Sequence, residues 1–281
     1  MTTSLVVQAP SVAPSVLATL AQQADACAII PFGPGRPAAY RLLVAAAHPA
    51  LIDAARAAGC DAGFVPAAQR LSRVRVVAMD MDSTLITMEC IDEIADLYEI
   101  KPEVAAITAS AMRGEIEFAE SLRRRVRLLA GLPVAALERV YDERLLLSPG
   151  ALQMLAGFRA VGAKTLLVSG GFTFFTERLK ARLGLDHAVA NTLRVSNGII
   201  TGELGDSIVD AKAKADTVAE WKAQYAGSDG LTIALGDGAN DLPMFGCADV
   251  AIAYRAKPIV REAATYAIDY CGLDAALNFF N

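Results

Sequence analysis

Val74-Arg75-Val76-Val77-Ala78-Met79-Asp80-Met81-Asp82-Ser83-Thr84 decides the reading of this chain. A short apolar run that ends abruptly in a polar cluster is the pattern of a strand buried on both faces of a sheet. In extended backbone, alternate side chains point the same way, so Asp80 and Asp82 can converge on one site. Two carboxylates at the end of a buried strand repel each other unless a proton or a cation intervenes. A hard cation such as Mg²⁺, which prefers carboxylate oxygens, supplies that compensation.

Working outward, further apolar runs occur at Thr165 to Val168, Val189 to Ala190, Leu231 to Leu235 and Val250 to Ala253, with helical periodicity between most of them. This alternation predicts an α/β fold with a doubly wound, mainly parallel sheet, in which ligands sit beyond the carboxyl ends of the strands. Three more polar clusters fall where such loops belong. Ser169-Gly170-Gly171 follows a strand and offers a hydroxyl and open backbone N–H groups to an anion. Lys214 lies near the start of a helix from about Asp210 to Tyr225. Gly236-Asp237-Gly238-Ala239-Asn240-Asp241 lets the backbone approach a ligand and adds carboxylates. Alone, Asp80-x-Asp82-x-Thr84 reads equally well as a strand-end turn with capping residues, Ser169-Gly170-Gly171 reads rather as a turn and Lys214 as a solvated charge, while the 236–241 cluster points to metal or phosphate; in this order and context they describe one site. Asn197-Gly198, between Leu193 to Val195 and Ile199 to Glu203, signals a type I′ hairpin.

Between the first two core strands, Glu89 to Leu147 reads as helices only. Pro102 suits a first turn, Gly131 ends a helix and Pro133 helps open the next. A helical bundle inserted there would stand over the strand ends as a lid. On a helix through Phe118, Leu122, Arg125 and Leu129, a rotation of about 100° per residue puts Arg125 on the apolar stripe and Arg123, Arg124 and Arg127 on the other face. A cation within an apolar stripe needs an anionic partner, either a cap glutamate or a substrate carboxylate, which a guanidinium can grip bidentately. Asp92, Glu93, Glu115 and Glu117 read as solvated cap residues.

The first segment differs in kind. Residues 1–70 hold seven charged residues and the other 211 hold 50, which predicts a domain boundary near Leu71. Its pattern is strand (Leu5 to Val7), helix (Val12 to Gln23), strand (Cys27 to Pro31), a turn at Gly33-Pro34-Gly35, strand (Tyr40 to Ala45), helix (Pro49 to Ala58), strand (Gly63 to Pro66). That order is the α+β ferredoxin-like arrangement. It resembles regulatory amino-acid-binding ACT domains in element order alone, so a packing or homodimer-forming module and a site for a small amino-acid effector both stay open. The net charge of −5 excludes broad capture of nucleic acid or anionic membrane. No membrane span, secretory leader or transit peptide is visible, so a soluble cytoplasmic protein is expected. The five scattered cysteines read as buried thiols in a reducing compartment. His48 and His187 read as isolated, and Trp221 as core or partly buried surface.

From about Leu71 onward the chain resembles the haloacid dehalogenase (HAD) superfamily, and within it the phosphoserine phosphatases. The likeness rests on Met81-Asp82-Ser83-Thr84-Leu85-Ile86, Ile91-Asp92-Glu93-Ile94-Ala95, Ser121-Leu122-Arg123-x-Arg125-Val126, Val168-Ser169-Gly170-Gly171-Phe172 and the 236–241 cluster. The resemblance implies a Rossmann-like core (71–88 and 148–281) with a helical-bundle cap (89–147) after the first core strand. It implies Mg²⁺-dependent hydrolysis of O-phospho-L-serine through an aspartyl-phosphate, the last step of serine biosynthesis. Asp80 would be the nucleophile and Asp82 the general acid and base; Asp80, the Asp82 backbone carbonyl and Asp237 would hold the metal, with Asp241 orienting Lys214 or a metal-bound water and Thr84 beside it outside the ligand set. Ser169, Gly170 and Lys214 would hold the phosphoryl oxygens, and Asn240 would contact phosphate or substrate. Glu89 would receive the substrate ammonium and Arg125 its carboxylate, with Met112 and Phe118 as apolar walls. The rival expectations are a phosphotransferase to an alcohol such as homoserine, and a low-turnover amino-acid sensor.

Overall fold

The computed structural model describes residues 3–32, 38–44 and 46–281. Strand β1 (Thr3–Ala9), helix α1 (Pro14–Gln23), β2 (Ala28–Phe32), β3 (Ala38–Val44), α2 (Ala50–Ala57) and β4 (Asp61–Pro66) form an antiparallel sheet of order β2-β3-β1-β4 with its two helices. This matches the ferredoxin-like order; the expected turn at Gly33-Pro34-Gly35 lies outside the described residues.

The remaining elements are β5 (Val74–Met79), α3 (Cys90–Leu97), α4 (Lys101–Met112), α5 (Phe118–Arg127), α6 (Ala135–Glu143), α7 (Ala151–Ala160), β6 (Lys164–Phe172), α8 (Thr173–Leu183), β7 (His187–Asn191), β8 (Leu193–Ser196), β9 (Ile199–Leu204), α9 (Ala211–Tyr225), β10 (Leu231–Gly236), α10 (Leu242–Cys247), β11 (Val250–Tyr254), α11 (Pro258–Ala263) and β12 (Tyr266–Ile268). Six strands make a parallel sheet of order β12-β11-β10-β5-β6-β7. Side chains alternate between its faces: Val77, Met79, Ile233, Leu235 and Ile252 join one buried cluster, while Ala78, Ala234, Ala251 and Ala253 join the other. A sheet covered on both sides has no polar alternation to show, which is why these strands read as short apolar runs. Strand β12 escaped the reading because it is only three residues long.

β5 is flanked by β10 and β6, so the carboxyl-terminal ends of these three strands meet at one edge with the 80–84, 169–171 and 236–241 clusters, and Lys214 comes in from α9. The four helices α3 to α6 are tied to the core where the chain leaves and returns. The Thr87 N–H donates to the Leu146 carbonyl (3.0 Å) and the Ser148 N–H to the Leu85 carbonyl (3.0 Å). Pro102 lies in the first turn of α4, as expected. Helix α5 ends sooner than expected, leaving Leu129 buried in the following turn, where Gly131 takes φ +87° and donates to the Ile200 carbonyl. Asn197 and Gly198 both have positive φ (51° and 78°), the type I′ signature, and they join β8 to β9.

The charge-poor first segment has a structural explanation. One face of its sheet packs on α1 and α2 through Leu5, Val7, Leu20, Leu42 and Leu51, and Val6 and Val65 on the other face join the main core. Asp61, almost fully buried, accepts the N–H groups of Asp269 (2.7 Å), Tyr270 (3.1 Å) and Cys271 (3.0 Å). Tyr266 stacks on Phe279 and donates its hydroxyl to the Phe64 carbonyl. Two cysteine expectations need correction: Cys27 is exposed and Cys247 half-exposed, because neither lies on a core-facing position. His187 is not isolated but stacks on Trp221, with ring centres 5.4 Å apart. Among the described residues no helix is long and apolar enough to cross a membrane.

Candidate active site

Asp80 caps the turn that follows β5, and its Oδ1 accepts the Met81 N–H (2.7 Å). Ser83 sits at φ 55°, a left-handed position unusual for a residue with a side chain. That kink folds the chain back beside the cap, where Ser83 Oγ donates to Glu89 (2.7 Å) and the Asp82 carboxylate accepts the Cys90 N–H (3.0 Å). Glycine is required opposite: a Cβ on Gly171 would come within 2.7 Å of an Asp82 carboxylate oxygen.

Lys214 enters from the first turn of α9, whose start is capped by the Asp210 carboxylate accepting the Ala213 N–H (2.8 Å). The Lys214 ammonium is 1% exposed and lies 2.7 Å from Asp80 Oδ2 and 2.9 Å from Asp241 Oδ1. Burial opposes its charge, but Asp80 and Asp241 outweigh that cost and hold its pKa above the ordinary lysine value. The other Asp241 oxygen accepts the N–H groups of Asp237 (3.1 Å) and Gly238 (3.0 Å). Asp241 is therefore fixed by a lysine and two backbone donors, and it shapes the 236–241 loop. Thr84 is buried and donates to Asp237 Oδ1 (3.0 Å).

Asp80, Asp237 and Asp241 each offer a carboxylate oxygen, all within 4.8 Å of one another. Burial, then the charges of Asp241 and Glu89, push Asp237 up to about 6. An all-oxygen cluster of mutually repelling carboxylates fits a hard divalent cation. Asp82 is not in that cluster. Part of the residue reaches the pocket, but its carboxyl group is enclosed, and that burial, reinforced by Glu89, pushes its pKa up to about 7.

Ser169 is fully buried within β6, three residues before its end; its hydroxyl accepts the Gly171 N–H (2.9 Å) and lies 3.5 Å from Asp82 Oδ2. Asn191 steadies this loop by donating to the Gly170 carbonyl (2.8 Å) while accepting the Val209 N–H (2.8 Å). Asn240 turns its amide toward Asp241 (3.4 Å).

These groups floor a pocket of about 610 Å³ roofed by the cap. Asp80, Asp82, Asp237, Gly170 and Asn240 line its floor, and Glu89, Met112, Phe118 and Arg125 its roof; Ser169, Lys214, Thr84 and Asp241 lie beneath the lining. Arg123, Arg124 and Arg127 point away, as the helical phase predicts, and are exposed. The salt bridge to a cap glutamate is absent: among the described residues no carboxylate lies within 4.0 Å of Arg125. Its buried Nε has no hydrogen-bond partner, nor does Ser121 Oγ one turn earlier. Met112, although on the roof, is 68% exposed.

Two solvated assignments fail. Glu93 pairs with Arg144 (2.6 Å), and Asp92 lines the pocket, half-buried; its pKa is raised by burial against the opposing pull of Arg125 and Lys101. The spacing of Asp92 three residues after Glu89 could have found it, since i and i+3 share a helix face. Lys257, at the mouth of the pocket, had no signal, because it is brought in by the turn between β11 and α11.

A parallel sheet with catalytic-type loops on its three central strands and a helical cap over them defines a class, and the family profile for haloacid dehalogenase-like hydrolases matches residues 77–246. The chain belongs to that family and is a phosphatase enzyme. Within the family its relatives are phosphoserine phosphatases. That of Polaromonas sp. is 50% identical over 213 residues, covering 74% of this chain and 90% of the relative. The crystal structure of a probable phosphoserine phosphatase from Vibrio cholerae, unliganded, superposes with a TM-score of 0.85 at 34% identity over 98% of this chain and 85% of the other. A substrate-bound phosphoserine phosphatase gives a TM-score of 0.68 at 36% identity over 74% of this chain and 99% of that one.

Proposed function

We propose that this chain hydrolyses O-phospho-L-serine to serine and inorganic phosphate, with Mg²⁺, as the last step of serine biosynthesis. The observation that carries the reading is Arg125. A half-buried guanidinium whose buried Nε has no hydrogen-bond partner, on the roof of a pocket whose floor is an acid cluster, is what an amino-acid carboxylate would complete. Glu89, on the same roof, suits the ammonium.

In the first half-reaction an Asp80 oxygen attacks phosphorus in line, the bond from phosphorus to the serine oxygen breaks, and Asp82 gives its proton to that oxygen. In the second, Asp82 takes a proton from the water that attacks the aspartyl-phosphate, and the bond to Asp80 breaks to release phosphate. A carboxyl group can serve both steps when its enclosure lets it exist in either form. Lys214, the Ser169 hydroxyl and the Gly170 N–H are assigned to the phosphoryl oxygens, where charge develops. Asn240 is assigned a contact to phosphate or substrate, and Phe118 and Met112 the apolar walls. Asp80, the Asp82 carbonyl and Asp237 are assigned to the metal, with Asp241 and Thr84 orienting them; bound Mg²⁺ would lower the repulsion between the Asp80 anion and the phosphate.

The domain division follows the same reading: an ACT-like module over 1–70, a core of 71–88 and 148–281, and a cap of 89–147, acting in the cytoplasm. The test is phosphate release from a panel of phospho-amino acids with and without Mg²⁺. Phosphoserine is expected to be turned over best, with chelation abolishing release and Mg²⁺ restoring it. Transfer to added homoserine in place of free phosphate would replace hydrolysis by phosphotransfer, and binding without turnover would replace it by sensing.

A further inference from the structure

Seven arginines lie between Glu89 and Leu147. Arg113, Arg124, Arg139 and Arg144 each have a carboxylate within 4.0 Å. Arg125 has none and lines the active-site pocket. Among the described residues only Arg123 and Arg127 are also without one, and neither guanidinium has a hydrogen-bond partner there.

These two stand one turn apart on the outer face of α5, the neighbouring position for i and i+4. They line a second cleft, of about 560 Å³, separate from the active-site pocket. Its far wall is the β8–β9 hairpin, with Arg194, Thr201 and Glu203. The wall is close and fixed. Gly202, at φ 83°, lets the hairpin backbone run against α5, where a Cβ would meet the Ala130 Cβ at 2.8 Å. The Gly131 N–H donates to the Ile200 carbonyl (2.9 Å), and the Val134 N–H to the Gly198 carbonyl (2.9 Å). Arg194 is held in place by the Leu204 carbonyl (3.0 Å) and by Asp206 (2.6 Å).

We infer that this cleft binds a small phosphate-bearing anion, at a site distinct from the catalytic one. Arginine is suited to phosphate because its planar fork can donate two parallel hydrogen bonds. Two free forks facing a third, whose charge Asp206 already pairs, leave the cleft positive despite Glu203, on a chain whose net charge is −5. A cleft of this size accommodates a metabolite rather than a macromolecule, and Glu203 would repel an extended polyanion while accepting a hydroxyl or ammonium donor from a small one. The opposite face of α5 carries Ser121, Leu122 and Arg125 into the active-site pocket, so an occupant would bear on the same helix that reads the substrate.

Inorganic pyrophosphate is the probe, titrated calorimetrically into the full, metal-free chain at about 0.15 M ionic strength, where weak surface attraction is screened. The expected result is saturable binding that weakens at least tenfold in Arg123→Ala/Arg127→Ala and stays within about twofold in Ser169→Ala, which perturbs the catalytic floor. Where two sites are resolved, the one lost in the double variant is the cleft. Both arginines are exposed, so the double variant is expected to melt within a few degrees of the parent and to retain phosphatase turnover. Absence of binding at 10 mM probe, or unchanged binding in the double variant, overturns the inference.

Discussion

The floor and the roof of the active-site pocket are built on opposite principles. On the floor, Lys214, Asp241 and Ser169 are within 1% of full burial, and their polar groups already have protein partners. On the roof, Glu89 and Met112 are exposed, and Arg125 keeps a buried Nε without a partner. Groups that stabilise charge during reaction gain most from being fixed beforehand in a dry setting. Groups that recognise a substrate gain from being left unpaired until it arrives, since a satisfied internal ion pair would have to be broken first. On the proposed assignments the reacting groups are fixed in the core, whereas on the cap, among the described residues, Arg125 keeps an unpaired Nε and the Glu89 carboxylate is held by Ser83 alone.

The largest effect expected on this contrast is chemical. Asp80→Asn removes the carboxylate proposed as the nucleophile but preserves shape, so phosphate release should fall roughly 10⁴-fold or more, with thermal melting showing an intact fold. Turnover within tenfold of the parent would move the nucleophile elsewhere. Lys214→Ala should then reveal how much of the fold leans on the floor. Removing a buried cation strands two buried carboxylates, a loss of about 3–5 kcal/mol. Denaturant unfolding under chelation measures it, and a loss below about 1 kcal/mol would mean that the floor is not held together by this charge.

The same contrast explains what was legible in the sequence. The floor is written in short motifs whose order and context define a site where each alone does not: Asp80, Ser169 and Asp237 follow apolar runs, and Lys214 opens a helix. The sheet itself followed from the spacing of those runs, apart from the three-residue β12. The roof is written in helical phase, which put Arg125 inward and Arg123 and Arg127 outward but says nothing about partners. Hence the open choice between a glutamate and a substrate for Arg125, and the misjudged Asp92. The packing of the first segment was not legible, because the Asp61 contacts with residues 269–271 join positions more than 200 residues apart. Lys257 was hidden because the turn between β11 and α11, which carries no motif, brings it to the pocket.

Arg125→Ala carries the contrast to the roof. Removal of a charged hydrogen-bonding partner costs about 2–5 kcal/mol when the pair forms in a desolvated site. Turnover of phosphoserine per unit substrate should therefore fall about 10²-fold. Phenyl phosphate, which lacks a carboxylate, should be nearly unaffected, and so should the denaturation midpoint. Equal losses on both substrates would mean that Arg125 supports the cap rather than reads the head group.

Met112→Ala is the smallest effect and the finest test. At 68% exposure Met112 has little burial to lose, so stability should change by no more than about 0.5 kcal/mol. A recognition surface assembled only around the substrate would nevertheless use that side chain in the bound state. A side chain that is open in the free protein and covered in the complex contributes to KM and not to folding. The expected signature is a KM for phosphoserine raised about threefold, on the scale of about one buried methylene, with kcat and melting temperature unchanged. If KM stays put, Met112 is surface in both states and the roof ends at Phe118. If the melting temperature falls instead, the roof is packed in the free protein much as the floor is, and the division between a fixed floor and an open roof fails at this residue.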